Sequence, residues 1–443
     1  MKRGGFFILF GLAAALIASS VAFAAVDKVI CVPWEGDTTK QHTALSGVSV
    51  QLTGVVKTTD TGTYYYKWVF GDGTPDSAVT SISGTTKYNI AISHTYTAAT
   101  GTPFTAQLQV ADNSAMSNAM SDPYLLRIEN STLDAQVNIA IDKGLWWLHT
   151  TAGTSANSSN AHTYNGSPQL TWDASNVSGI NTLSPATASA IQAFSINNHK
   201  IGGNPNEDPY VEDVQLGMNY LIQGYNGDTG RPALYAVPIS PSSNHPSDNP
   251  DQNGNGYGVE NYDHDGNRMP YEGGQVMDAI IASGVAPSTL TGRDFTKVDN
   301  TIVHNWSFGE LLQDMADMYA WGQNDLGTCN GGICGSWWYN WNYGSPGDNS
   351  ASQWAAIGLI PAQDAPWNVM VPQWERDYNA NWLAYSMGCT GPSSAVTACT
   401  YNYFSYNAVS GCAGDSCEQT TTSGMVQMIF DGQSTADLKW DKA

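Results

Sequence analysis

Residues 261–272 carry the pattern with the most definite chemistry. Asn261, Asp263, Asp265 and Asn267 alternate around a turn residue, Gly266, and Glu272 follows at the twelfth position. Alternating side-chain oxygens on a tight turn surround a hard cation, and a closing Glu completes the shell. The spacing predicts a Ca2+ site on Asn261, Asp263, Asp265, Asn267 and Glu272. A turn-rich polar loop that binds nothing has the same composition. Just upstream, Asp251, Asn253, Asn255 and Gly256 repeat the first half of the pattern without the closing Glu.

Carboxylates offer a second chemistry. Asp173 after Trp172, Glu207 and Asp208, Glu212 and Asp213, and Glu310 are candidates for general acid and base on a polysaccharide, a reaction that needs two carboxyl groups at a set separation. Glu212 and Asp213 also suit a helix start, where negative charge complements the helix dipole. His149, His199 and His304 form no metal-spaced set and read as buried or capping histidines. The tryptophans at 146, 147, 172, 337, 338, 341, 367 and 374 could stack on sugar rings or pack loops against helices.

Cysteines and charge place the chain outside the cell. Lys2 and Arg3, an apolar stretch from Phe6 to Ile17 and a small-x-small site at Ala22-Phe23-Ala24 read as a secretion signal over 1–24. No later segment approaches the roughly 18 apolar residues of a membrane helix. Secreted, cell-surface and periplasmic locations all fit. An oxidising compartment favours local disulfides Cys329–Cys334, Cys389–Cys399 and Cys412–Cys417. Zinc on the two C-x4-C pairs, 329/334 and 412/417, is the alternative. Cys31 is left over, either buried or able to pair with another chain. Without the signal, 15 basic residues face 39 acidic ones, a net near −24. That charge repels phosphate backbones and argues against nucleic acid.

These groups must be positioned by two kinds of element. A polar lead over 25–43 precedes a β-rich stretch, 44–128. There Tyr64, Tyr66, Trp68 and Phe70 keep a period of two, and Phe70-Gly71-Asp72-Gly73 signals a turn. The runs YKWVFGDG, SHTY and GTPFTAQLQVAD resemble a PKD domain. The resemblance implies an immunoglobulin-like sandwich serving as a spacer or adhesive module.

From 129 onward, apolar residues recur at helical spacing in segments of roughly 11–17 residues. Gly335 and Trp337 lead through a Gly/Pro/Asn loop to Asp348, an N-cap residue, with Gln353 and Trp354 in the first turn of a helix. This stretch resembles the glycine/aromatic-QW repeat of α/α-toroids such as squalene cyclases and prenyltransferases. The implied fold is an all-β sandwich followed by an all-α toroid over 129–443, complete or the front of a larger precursor. The acid motif of the cyclases is missing, and the cysteines that would serve a prenyltransferase zinc are committed to local loops. The expected function is therefore non-catalytic: adhesion, matrix formation, or binding of a glycan or surface protein. The alternative is an extracellular enzyme acting on a polysaccharide or lipid-like substrate in the toroid cavity.

Overall fold

In a computed structural model, the structure describes residues 25–32, 41–153, 162–164, 167–172, 183–223, 225–226, 231–232, 234–243, 245–261, 269–292, 295–296, 302–303, 306–324, 335–341, 347–390, 396–407 and 416–443. The expected secretion signal lies outside them. The chain divides into two compact units, Met1–Asn130 and Ser131–Ala443. No helix of the described residues is long and apolar enough to cross a membrane.

The first unit is built from β1 (Val26–Val32), β2 (His42–Leu45), β3 (Ser49–Thr58), β4 (Tyr64–Val69), β5 (Thr80–Ile82), β6 (Lys87–Thr95), β7 (Pro103–Ala111) and β8 (Met120–Glu129). One sheet has the order β1-β3-β6 and the other β2-β8-β7-β4-β5. Residues from both sheets, including Leu52, Val56, Trp68, Leu108, Tyr124 and Leu126, close over a single core. The aromatic alternation of β4 points Tyr64 and Trp68 fully inward. The Phe70–Gly73 turn is clamped beneath it. Tyr96 Oη donates to Phe70 O at 2.9 Å, and the Phe70 ring stacks on His94 at 3.8 Å. Gly71 has φ +75° and passes so close to β7 that a Cβ would meet Thr105 O at 2.1 Å. β1 falls within the segment expected as a polar lead. Its buried Val29, Ile30 and Val32 pair it antiparallel to β3. Cys31 is buried there, its thiol donating to Asp122 O at 3.3 Å.

The second unit is not the all-α toroid that the sequence led us to expect. Nine helices and five two-stranded antiparallel sheets alternate among its described residues. The helices are α1 (Leu133–Thr151), α2 (Leu183–Ile196), α3 (Pro209–Gln223), α4 (Met269–Ala282), α5 (Phe308–Gly322), α6 (Asn349–Ala362), α7 (Gln373–Ser386), α8 (Ser416–Phe430) and α9 (Leu438–Lys442). The strands are β9 (His162–Tyr164), β10 (Ser167–Gln169), β11 (Tyr225–Asn226), β12 (Arg231–Pro232), β13 (Leu234–Pro238), β14 (Tyr257–Asn261), β15 (Phe295–Thr296), β16 (Ile302–Val303), β17 (Cys389–Thr390) and β18 (Ala398–Cys399). The physical reason is backbone satisfaction. Segments that run between packed helices must pair their N–H and C=O groups, and short hairpins do so locally. The longest, β13 with β14, lies on α5, where a Cβ on Gly258 would sit 3.0 Å from Met318 Cα.

The helices pack in succession, α2 on α4, α4 on α6 and α6 on α8. Glycine makes the closest of these crossings. A Cβ on Gly274 of α4 would fall 1.9 Å from Trp354 O of α6. β17 and β18 are joined by the Cys389–Cys399 disulfide. Cys417 is also disulfide-bonded. Cys329, Cys334 and Cys412 lie outside the described residues.

Candidate functional site

The loop before α6 organises the surface around it. Gly335, at φ +94°, passes against α7, where a Cβ would be 1.8 Å from Tyr378 O. Trp337 is fully buried, and its indole Nε1 donates to Tyr319 O at 2.9 Å. Asp348 caps α6, with Oδ1 accepting from Ala351 N and Ser350 Oγ, each at 2.6 Å. Gln353 ties the same helix to α8 by accepting from Ser423 Oγ at 2.8 Å. Trp354 is half-buried, and its carbonyl forms the contact with Gly274.

Four aromatic side chains gather beside this loop. Tyr271 comes from α4, Trp338 and Tyr339 from the loop itself, and Tyr406 from the segment after β18. The rings of Tyr271 and Tyr339 are 5.5 Å apart, and those of Trp338 and Tyr339 are 4.8 Å apart. The hydroxyls of Tyr339 and Tyr406 bond at 2.7 Å, and Tyr271 Oη bonds Ser350 Oγ at 2.5 Å. Tyr406 is 39% exposed. Burial, and then the nearby Asp348 carboxylate, push the Tyr271 phenol upward, so it is a neutral donor and acceptor at physiological pH. Half-buried rings edged by neutral hydroxyls can stack on an apolar face and hydrogen-bond its polar rim.

A second constellation lies on α5, under the loop 249–256. Asp251 accepts from the N–H groups of Gly254, Asn255 and Gly256, which folds the loop around its carboxylate. Across from it, Asp314 accepts from Asn253 Nδ2 at 2.5 Å and from Asn255 Nδ2 at 2.9 Å. Asp317 accepts from Gln252 N at 3.1 Å and Gln313 Nε2 at 2.8 Å. Burial outweighs these donors, pushing Asp314 up to about 8 and Asp317 up to about 7. On α7, Glu375 is fully buried, and neither carboxyl oxygen has a hydrogen-bond partner among the described residues. Burial, and then the charge of Asp317, hold its carboxyl well above the usual range.

The candidate acids, histidines and calcium ligands from the sequence are placed elsewhere. Asp208 accepts from His199 Nδ1 at 2.6 Å and from Tyr210 N at 3.0 Å, at the start of α3. Asp213 accepts from His149 Nδ1 at 2.6 Å in a buried pair. Glu207 is half-buried in the turn before α3. Glu310 belongs to the capping box of α5, its Oε2 accepting from Ser307 N at 2.8 Å. None of these joins the α5 constellation. Asp173 and His304 lie outside the described residues. In the expected calcium loop, Asn261 and Glu272 are both buried and touch, Nδ2 to Oε2 at 2.6 Å. Asp263, Asp265 and Asn267 lie outside the described residues. Among the described residues, no three His, Cys, Asp or Glu side chains converge as metal ligands.

The sequence reading missed Asp314, Asp317 and Glu375. The available signal was two acids three apart inside the apolar run Leu311–Tyr319, a helix stretch buried on every side. No family model matches the chain, and no curated protein matches it either.

Proposed function

We propose that the protein is a secreted or cell-surface binding protein that performs no reaction of its own. In this reading it holds a glycan, or a sugar-like face of a surface protein, on the patch of Tyr271, Trp338, Tyr339 and Tyr406. The observation that carries the reading is this patch: rings from three separate segments, locked by their own hydroxyls, with Tyr406 open to solvent. Sugars offer C–H faces for stacking and hydroxyls for bonding, and such a surface complements both. The carboxylates support the non-catalytic half. Asp208, Asp213 and Glu310 are engaged by histidines or a helix cap, and Asp314 and Asp317 lie under a loop whose amides bind them. The first unit, with its PKD-like sequence, would serve as spacer or adhesive module.

The test is glycan-array binding with protein beginning at Ala25, run beside a turnover screen on the same polysaccharides. Trp338→Ala and Tyr406→Phe are expected to weaken binding at least tenfold without changing the unfolding midpoint. Binding unchanged in both variants would reject the patch. Turnover abolished by Asp314→Asn would reject the non-catalytic reading.

A further inference from the structure

We propose that the polar core between α5 and α7 is a site for one hard divalent cation of the Ca2+ class, with Asp317 and Glu375 as its two carboxylates and the side-chain oxygens of Asn379 and Gln323 beside them. The patch proposed above plays no part in this inference.

Among the described residues, four buried oxygens in this region lack any donor: Glu375 Oε1 and Oε2, Asn379 Oδ1 and Gln323 Oε1. All three side chains are buried, with Glu375 and Asn379 at 0% exposure. Glu375 and Asn379 are four residues apart, on the same face of α7. Gln323 is held against that helix, its Nε2 donating to the Glu375 main-chain carbonyl at 2.8 Å and to Gly335 O at 2.9 Å. Its amide nitrogen is thereby committed, and its oxygen is left over. Asp317, on α5, is tied toward the segment that leads into α7 by Gln313, whose Nε2 donates both to Asp317 Oδ1 at 2.8 Å and to Met370 O at 3.0 Å, and its charge acts on Glu375 more strongly than any other.

A buried acceptor without a donor is destabilising, and a charged one more so. Four together point to a missing positive partner. Asn379 Nδ2 is already given to Asp431 at 2.9 Å, so an amide flip would only move the deficit. Arg376, the adjacent cation, opposes the upward push on Glu375 but spends its hydrogen bonds on Gln363 and Phe430 O, and neither carboxyl oxygen receives one from it. Nor does Glu375 serve as a helix cap. The N-cap of α7 is Pro372, which has no N–H to offer, and no side-chain cap bond is made. Two carboxylates balance a divalent ion, and amide oxygens complete a hard all-oxygen set. A set with only two carboxylates is consistent with the lack of any converging trio of acids or histidines.

The experiment counts Ca2+ per chain by equilibrium dialysis after chelator treatment, and follows thermal unfolding with and without 1 mM-range Ca2+. The proteins are the chain from Ala25, Glu375→Gln and Asp317→Asn. Near-UV circular dichroism confirms that each variant is folded. The expected result is one Ca2+ fewer per chain in both variants, and a smaller Ca2+-induced rise in melting temperature. Ca2+ bound equally by the parent and both variants would overturn the site and assign the ion to residues 261–272 or elsewhere. A parent that binds no Ca2+ would overturn it too, whatever the stability of Glu375→Gln, and make Glu375 a buried neutral acid. Should Glu375→Gln fail to fold, Asn379→Ala replaces it in the same count.

Discussion

Gly274→Ala tests the packing of the second unit at its tightest point. In an exposed helix interior this change stabilises by roughly 1 kcal/mol, because Ala is the better helix former. At Gly274 the added Cβ would lie 1.9 Å from Trp354 O, while real Cβ contacts stay above 3.0 Å. The helices α4 and α6 would have to part by more than 1 Å, and the obstacle is backbone, which cannot swing away as a side chain would. Overpacking on that scale costs about 1–3 kcal/mol or more. The upper part of that range, less the propensity gain, leaves a loss of about 2 kcal/mol. The unit spans Ser131–Ala443, and at about 2.1 cal/mol/K of unfolding entropy per residue that loss lowers the melting temperature by roughly 3 °C. Gly144→Ala is the matched control. Gly144 lies exposed in α1 with nothing within 4 Å of its Cβ position, so it should gain about 0.5–1 kcal/mol. Near-UV circular dichroism suits the assay, because thirteen of the fifteen tryptophans follow residue 131 and report on the second unit. A Gly274→Ala protein as stable as Gly144→Ala would refute the close crossing of α4 and α6.

Trp337→Phe keeps the ring in its buried slot but removes the indole N–H from Tyr319 O, so the urea midpoint of the second unit should fall by the equivalent of about 1–2 kcal/mol; an unchanged midpoint would show that the bond contributes nothing. Cys399→Ser opens a ten-residue separation, and the chain-entropy model gives a loss of about 3 kcal/mol, read as a lower urea midpoint under non-reducing conditions; a midpoint equal to the parent's would contradict it. In the first unit, burial pushes the Asp72 carboxyl up, but the donors Thr74 and His94 outweigh it and bring it down to about 2. A carboxyl depressed in the folded state contributes stability above the unfolded value, about 3.9, that is lost as pH falls toward 2. Asp72→Asn should therefore flatten the stability of the first unit between pH 4 and 2, and a variant with the parent's acid profile would contradict the assignment.

Local rules made part of this fold legible. Period-two aromatics put Tyr64 and Trp68 inside the first unit, because a strand's side chains alternate whatever the rest of the chain does. The start of α6 at Asp348 is equally local, a carboxylate meeting the N–H groups two or three residues on. The Cys389–Cys399 bridge follows from short spacing. The hairpins of the second unit were not legible. Strands of two to five residues are too short for alternation to register, and their pairing answers a need set by the helices they cross. The α5 constellation was hidden for a different reason. Asn253 and Asp314 are 61 residues apart, so nothing in the sequence around either names the other.

Helix α5 explains why the two constellations can coexist in one unit. Its N-terminus is fixed by a capping box at Ser307 and Glu310, and its residues from Leu311 to Ala320 are buried on every side. A helix buried all round normally carries apolar side chains throughout. Here Asp314 and Asp317 interrupt that pattern toward the loop 249–256, while one turn on, Tyr319 serves the other constellation twice. Its carbonyl receives Trp337 Nε1, and its hydroxyl donates to Pro270 O at 2.6 Å, next to Tyr271. A helix so confined can present buried carboxylates on one side and hold up an aromatic surface on the other without either site having to supply its own rigidity. That division also assigns the cost of the acids: their unfavourable burial is offset by the apolar packing of the same helix and by the amides of the loop 249–256 that bond to them.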